Sequence, residues 1–280
     1  MILNPVIFRE YDIRGIYETE FDLDFAYNLG KAVGTLAQKK SDKKNLVFAL
    51  GYDARHSSPH ITKQLSKGLQ ETGVFVSWMG LVTSPMTYFT TFESGMDGAI
   101  MVTGSHNPPE YNGFKISIGP STLHGDDIQK LYEIIENSSF TIPENSSAKE
   151  TPFSINDVYV RKYKKEFTDL SGIPVVFDCA NAAAGAILRP VLEALNVDAT
   201  ILFEKPDGDF PNHHPDPTVE ENLKDLQKAV LEKKAMVGIG FDGDADRIAI
   251  VDEKANSLFC LLYTSPSPRD ATLSRMPSSA

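Results

Sequence analysis

Ala99-Ile100-Met101-Val102 runs directly into Thr103-Gly104-Ser105-His106-Asn107-Pro108-Pro109-Glu110-Tyr111-Asn112-Gly113-Phe114-Lys115. Four consecutive apolar residues bounded by turn formers read as a short buried strand. Gly, Ser, Asn and Pro then shape a tight loop. Pro108-Pro109 bar a helix from starting there, and Gly104 allows the backbone to approach a ligand. A hydroxyl, an imidazole and an amide, from Ser105, His106 and Asn107, therefore sit side by side at the C-terminal end of a strand. That is the edge at which open α/β sheets bind ligands. A serine presented there is a candidate nucleophile or phosphoryl carrier. On loop composition alone the simpler reading is a plain turn with a surface serine.

Strands and helices alternate on both sides of this loop. Upstream, Phe8 to Gly15 alternates apolar and polar residues and reads as an entry strand and turn carrying Arg9, Tyr11, Asp12 and Arg14. Two arginines with a tyrosine can bind phosphate, or simply form surface salt bridges. Asp24 to Gln38 is helical by period, with Phe25, Leu29, Val33 and Leu36 on one face. Leu46 to Leu50 is a buried strand and Gly51 to Ser58 its loop. A helix follows with Ser58 as cap and Pro59 at its first position, ending at Gly73, and Val74 to Trp78 is the next strand. Strand, helix, strand in this order makes a βαβ unit and a partly parallel sheet. Downstream, Phe114 to Ile118 alternates like a strand and Asp127 to Glu136 reads as a helix.

The chain has 280 residues, enough for about two domains. The composition shifts over Asn137 to Ser154, rich in Ser, Asn and Pro, which reads as a linker. The expected division is 1–148, 149–256 and an atypical tail, 257–280. After the linker come a basic helix, Asp157 to Phe167, read as a solvated face, and a strand, Ile173 to Asp178. The small-residue loop Cys179 to Gly185, a helix to Leu195 and a strand at Thr200 to Phe203 follow. The polar loop Asp207 to Pro217 carries His213 and His214, read as exposed. Thr218 with Glu221 forms the pattern of a capping box opening a helix through Glu232. The expected fold is α/β, two consecutive domains with mixed, partly parallel sheets flanked by helices.

A second stretch, Gly238-Ile239-Gly240-Phe241-Asp242-Gly243-Asp244-Ala245-Asp246-Arg247-Ile248-Ala249-Ile250-Val251-Asp252, reads as strand, loop, strand. Its three carboxylates alternate over five positions and repel one another unless a cation holds them. Hard oxygen ligands in a small loop suit Mg²⁺, which keeps part of its shell free for phosphate oxygens. The spacing and distal Glu of a calcium EF-hand are missing. Arg247 follows directly and can neutralise a phosphate on the same ion. An acidic hairpin turn in water is the plainer alternative, and the apolar flanks speak against it.

Net charge is -11, so no broad positive field favours a nucleic-acid or anionic-membrane partner, while a few placed cations still suit an anionic small substrate. Two cysteines, Cys179 and Cys260, form no framework, which suits a reducing cytoplasm. The first ten residues lack the charged leader of a signal peptide, and no apolar run approaches a membrane span.

Taken together, Tyr11-Asp12-Ile13-Arg14-Gly15, Thr103 to Pro108, Tyr111 to Lys115 and Asp242 to Arg247 resemble the motifs of the α-D-phosphohexomutases, most closely their bacterial phosphomannomutase/phosphoglucomutase branch. The resemblance covers about residues 5 to 258, the first two of the family's four domains. It implies a phosphate carried on Ser105, and one Mg²⁺ held by Asp242, Asp244, Asp246 and a phosphoserine oxygen. The phosphoryl group passes to a hexose 1- or 6-phosphate through a 1,6-bisphosphate, which also serves as activator. Lys115 would handle the proton of the reacting hydroxyl. Arg14, Tyr11 and Arg247 would steady the phosphate, with Arg9 beside them, and His106 and Asn107 would shape the loop.

From about residue 258 the likeness stops. The sugar-reading Glu-x-Ser-Gly loop and the phosphate-gripping Ser/Thr loop of the family do not occur, so weak or absent turnover of this chain alone is expected. The Ser- and Pro-rich end, Cys260 to Ala280, is expected to be disordered and foreign to the rest. Two other functions stay open. One is a Mg²⁺-dependent phosphatase using the first Asp of an Asp-x-Asp motif as nucleophile. The other is a non-catalytic phosphosugar-binding module. Sugar preference and oligomeric state are not written in these residues.

Overall fold

In the computed structural model, which describes residues 1–258, the apolar runs pair into two sheets. The first unit contains β1 (Ile13–Ile16), α1 (Leu23–Lys40), β2 (Val47–Tyr52), α2 (Ser58–Glu71), β3 (Phe75–Leu81), α3 (Ser84–Glu93), β4 (Gly98–Val102), β5 (Tyr111–Ile118), β6 (Ser121–Thr122), α4 (Asp126–Glu136) and β7 (Glu150–Pro152). Its sheet runs β1-β5-β4-β2-β3-β7, with β6 beside β5. β4, β2, β3 and β7 are mutually parallel, while β5 is antiparallel to both β4 and β1. The second unit contains α5 (Asn156–Glu166), β8 (Pro174–Asp178), α6 (Leu188–Ala194), β9 (Asp198–Leu202), α7 (Lys224–Lys233), β10 (Val237–Phe241), β11 (Ile248–Asp252) and β12 (Ser257–Leu258). Its order is β12-β11-β10-β8-β9.

The two sheets repeat one pattern. β5-β4-β2-β3 and β11-β10-β8-β9 share connection order, and in each the last strand turns back antiparallel. The serine loop joins β4 to β5; the acidic loop joins β10 to β11. They occupy the same place in their respective units, at the C-terminal edge of a central strand.

The helices form where amphipathic period and capping agree. Asp22 accepts the Phe25 amide at 2.7 Å and starts α1, whose buried stripe includes Phe25, Leu29, Val33 and Leu36. α3 has no counterpart in the sequence reading. Its Thr, Tyr and Phe content blurs the helical period, and what starts it is Thr83, whose hydroxyl accepts the Met86 amide. Three other expectations are corrected. Ser57, not Ser58, stands at the N-cap position of α2, and neither side chain caps it: the Ser57 hydroxyl accepts from Asn112 and the Ser58 hydroxyl is turned inward to Asp53. Ahead of β1 the chain forms a 3-10 turn at Pro5–Ile7, and of the expected strand residues before Ile13 only Phe8 pairs, in a bridge to Ile13. The capping box at Thr218 does not form. Asp216 captures both the amide and the hydroxyl of Thr218, and a 3-10 turn at Glu220–Leu223 precedes α7.

Val82, Met86 and Met101 of the first unit pack with Ile155, Tyr159, Ile187, Val191 and Leu195 of the second in one apolar cluster. The seam between the units is therefore a hydrophobic core in its own right, which fixes how the two loops face each other. α5 turns Tyr159 into that core and leaves Arg161, Lys164 and Lys165 in solvent, as a solvated basic face should. Among the described residues no helix is long and apolar enough to cross a membrane. Ser257 and Leu258 pair with β11 as part of the second sheet, whereas the expectation for Cys260 to Ala280 lies outside the described residues.

Candidate active site where two loops meet

The serine loop is built around a buried ion pair. Asp53, just past β2, is 2% exposed, and both its oxygens are filled. Oδ2 accepts from Arg55 Nε at 3.1 Å, Thr103 Oγ1 at 2.8 Å and the Gly104 amide at 3.1 Å. Oδ1 accepts from the Arg55 amide at 3.1 Å and Ser58 Oγ at 2.6 Å. Arg55, 1% exposed, turns its fork beneath the loop and donates to the carbonyls of Ser105 at 2.9 Å, Asn107 at 2.6 Å and Tyr111 at 3.0 Å, and to that of Pro108. Few side chains other than Arg can satisfy so many carbonyls at once from a buried position. A Cβ on Gly104 would lie 2.4 Å from Arg55 Cζ, so the close approach that requires glycine is to Arg55 rather than to a ligand. Ser105 itself takes φ +51°, a left-handed conformation that costs a non-glycine residue roughly 1–2 kcal/mol. Its amide is held by Thr103 Oγ1 at 2.8 Å.

The acidic loop turns on Asp242, whose Oδ1 accepts the amides of Asp246 at 3.0 Å and Arg247 at 3.1 Å. Asp242 and Asp244 are fully buried, and Asp246 is exposed. The two loops touch backbone to backbone: a Cβ on Gly243 would lie 2.2 Å from the Ser105 carbonyl oxygen. With glycine there, Ser105 Oγ donates to Asp242 Oδ2 at 2.8 Å. Ser84, at the start of α3, joins from the first unit. Its amide donates to the Asp244 carbonyl at 2.9 Å and its hydroxyl to Asp244 Oδ2.

Lys115 on β5 is the counter-ion of this cluster, with Nζ 2.5 Å from Asp244 Oδ2 and 2.6 Å from Asp246 Oδ2. Burial alone would depress the Lys115 ammonium, but the two carboxylates outweigh it and raise its pKa. Lys115 has the reverse effect on Asp244, holding it below the usual carboxylate range despite its burial. Burial and the neighbouring Asp244 and Asp246 push Asp242 up to about 8. Three carboxylates with one inserted ammonium are left short of positive charge.

A cation fits this deficit. One oxygen from each of Asp242, Asp244 and Asp246 can lie within 4.8 Å of the others, and Asp244 Oδ1 is buried with no hydrogen-bond partner. Buried carboxylate oxygens left without donors are hard ligands of the kind that suit a small divalent cation. One other group among the described residues, His56 with Asp207 and Asp209, could also gather around an ion, but all three stand in solvent.

The remaining predicted residues divide. His106 and Arg247 meet across the seam, Nδ1 to Nη1, at 2.5 Å. Burial, the guanidinium of Arg247 and, more weakly, Arg14 hold the His106 imidazole below its usual pKa, so the ring is neutral and accepts at Nδ1. Arg14 is buried on β1 and paired with Asp12 at 2.5 Å, and its Nε has no partner. The Asn107 carboxamide nitrogen is likewise buried and unpartnered. Arg9 and Tyr11 stand in solvent, Tyr11 71% exposed, and the structure does not bring them into the cluster.

Sequence reading missed Asp53, Arg55 and Ser84, and it misplaced two histidines. Asp53 and Arg55 lie at the end of a strand next to the serine strand, a position that could have flagged them. His213 and His214, expected in solvent, are both half-buried and bonded. His213 Nε2 lies 3.0 Å from Asp178 Oδ2, and His214 Nε2 lies 2.6 Å from the His106 carbonyl oxygen.

Comparison with known proteins identifies the family of this fold. Residues 5–142 match the family described as phosphoglucomutase/phosphomannomutase, alpha/beta/alpha domain I, and residues 157–255 match domain II of the same family. A phosphomannomutase/phosphoglucomutase of Pseudomonas syringae pv. tomato is 40% identical over 260 residues, covering 92% of this chain and 54% of that protein. A phosphoglucomutase of Neisseria gonorrhoeae is 38% identical over 256 residues, covering 90% of this chain and 54% of its own. The crystal structure of a phosphoglucomutase/phosphomannomutase family protein from Burkholderia thailandensis superposes with a TM-score of 0.83 at 34% identity, over 90% of this chain and 55% of that one. The chain belongs to the phosphoglucomutase/phosphomannomutase family. It spans about half the length of the curated relatives it matches.

Proposed function

We propose that this chain carries the phosphoryl-transfer half of a phosphohexomutase, interconverting hexose 1-phosphate and hexose 6-phosphate of mannose or glucose through a phosphoserine and a 1,6-bisphosphate. The observation that carries this reading is the 2.8 Å contact of Ser105 Oγ with Asp242, inside a carboxylate cluster that lacks positive charge. Asp242, Asp244 and Asp246 would hold Mg²⁺, with an oxygen of the phosphorylated Ser105. Bound there, the ion supplies charge neutralisation for a phosphoryl group resting on the serine.

The chain's own residues place and balance that group. Arg55 fixes the serine loop through its carbonyls, so the hydroxyl is oriented before any substrate arrives. In the transfer, the bond from serine oxygen to phosphorus breaks as a sugar hydroxyl oxygen bonds to phosphorus; the freed serine oxygen takes up a proton, becoming the hydroxyl that here donates to Asp242, and the sugar hydroxyl gives up its own. We assign Lys115 to that proton; in the arrangement seen here Asp244 and Asp246 hold it as the ammonium, the form that donates in the reverse step. Arg247 and Arg14 would offset charge on the phosphate oxygens, with His106 and Asn107 shaping the loop. Arg9 and Tyr11 would reach the substrate's phosphate only from solvent.

Incubation with glucose 1,6-bisphosphate and Mg²⁺, followed by intact-mass and peptide mapping, tests this. One phosphoryl group is expected on Ser105, and none on Ser105→Ala. Phosphate mapped to Asp242 with Ser105 untouched would establish the phosphatase reading instead. Stoichiometric binding of the bisphosphate without any transfer would make the chain a binding module.

A further inference from the structure

We propose that Asp178, His213 and His214 are positioning residues that hold the serine loop against the acidic loop from the second unit. The functional consequence, though not the geometry, rests on reading Ser105 as the phosphoryl carrier.

Both ring nitrogens of His213 face acceptors. Nε2 lies 3.0 Å from Asp178 Oδ2, and Nδ1 lies 3.0 Å from the His214 carbonyl oxygen. A carboxylate and a carbonyl have no proton to give, so the ring satisfies both only as the imidazolium. Its other surroundings agree. The edge of the ring meets Phe203 at the end of β9, with centroids 5.5 Å apart, and the charged groups facing it are Asp178 from β8 and Asp225 from α7. Burial would lower the pKa of His213, but Asp178 outweighs it and raises the value above its usual one. Asp178 is 1% exposed and its second oxygen is held by the Ala180 amide at 2.8 Å. The loop is pinned again one residue earlier, where Asn212 donates to the Asn181 side chain at 2.7 Å.

From this anchor His214 reaches across the seam. Its Nε2 donates to the carbonyl of His106 at 2.6 Å, on the residue directly after Ser105. Its own carbonyl, already accepting from His213, also accepts the Asp216 amide at 2.8 Å, which fixes the backbone on both sides of the ring. Pro215 lies close by Gly243, the residue that lets the two loops meet: a Cβ added there would be 3.7 Å from the proline ring. The serine loop is therefore gripped on one side by Arg55 of its own unit and on the other by His214 of its partner unit.

Hydrogen exchange of amides 103–113, measured alongside Ser105 phosphorylation by glucose 1,6-bisphosphate and Mg²⁺, tests the assignment. His214→Phe keeps a ring but loses the donor; His214→Gln restores a donor where Nε2 stood. His214→Phe is expected to speed exchange in 103–113 about tenfold, the effect of one net hydrogen bond. The rest of the first unit should be unchanged, and phosphoryl uptake should slow by a similar factor. His214→Gln should recover most of both. Should His214→Phe fail to fold, Asp178→Asn gives the same comparison in the same direction, because it removes the charge under His213 at nearly constant size. Unchanged exchange in 103–113, or no advantage of Gln over Phe at 214, overturns the proposal. If wild type takes up no phosphate while exchange behaves as described, the clamp stands and the phosphohexomutase reading falls.

Discussion

The serine loop and the acidic loop occupy equivalent places in two units of like topology, yet they are held by opposite means. The serine loop is held by a balanced ion pair. Asp53 and Arg55 cancel each other's charge beneath it, and its inward carbonyls at 105, 107, 108 and 111 are taken by one guanidinium. The acidic loop carries unbalanced charge. Its carboxylates outnumber the ammonium of Lys115, and one buried oxygen of Asp244 has no partner. The first unit thus presents a hydroxyl on a loop whose buried charges cancel, and the second a carboxylate cluster whose charges do not. Even the aspartates just past β2 and at the end of β8 follow this division. Asp53 anchors its own unit's reactive loop, whereas Asp178 anchors, through His213, a loop that reaches over to the other unit.

Removing the guanidinium should break this contrast most severely. Arg55→Ala leaves the Asp53 carboxylate buried and unpaired, and a loss of about 3–5 kcal/mol is expected in urea unfolding. A cost within error of zero would mean that the serine loop is held by something other than this pair.

Forcing the loops apart comes next. Gly243→Ala drives a Cβ into the Ser105 carbonyl, a backbone atom that cannot rotate away. It should cost about 1–3 kcal/mol, the range of an overpacked site. It should also abolish phosphoryl uptake at Ser105 while the first unit keeps its hydrogen-exchange protection.

A third test is the proton. Folded Asp242 keeps its proton up to about 8, whereas an unfolded Asp releases it near ~3.9. Between those values the folded state binds the extra proton, so stability is greatest at the acid end and falls as pH rises. The slope is at most about 1.4 kcal/mol per pH unit. Thermal unfolding in EDTA should therefore decline from pH 5 to 8. Asp242→Asn should flatten the decline, and so should Mg²⁺ if it binds in the proton's place. Stability that rises over this range in EDTA would remove the charge deficit from the account.

The smallest effects are expected at the margin. Arg9→Ala and Tyr11→Ala should each shift stability by less than about 0.5 kcal/mol, as exposed positions do. If these residues meet substrate phosphate, the bisphosphate concentration needed for half-maximal labelling of Ser105 rises while the maximal labelling rate holds. No change in either would restrict the phosphate-binding set to Arg14 and Arg247.

Much of this was legible in the residues alone. The alternation of β and α elements, the serine loop after an apolar strand and the alternating carboxylates between two others are local patterns. Periodicity and turn chemistry report these well. The elements that were misread lie where local signals are weak or overridden. α3 lacks a clean apolar stripe, the cap at Thr218 lost its hydroxyl to Asp216, and His213 and His214 sit in a loop whose Pro and Asp content suggests solvent.

By itself the sequence determined which groups the protein owns and the strand ends at which they stand, because those depend on neighbours a few positions away. Only the tertiary structure decided that a hydroxyl and a carboxylate 137 positions apart would share a proton, that Lys115 would serve as counter-ion, and that Arg55 and His214 would grip one loop from two sides. Those outcomes follow from how the apolar seam between the units aligns their edges, and no local pattern encodes that alignment.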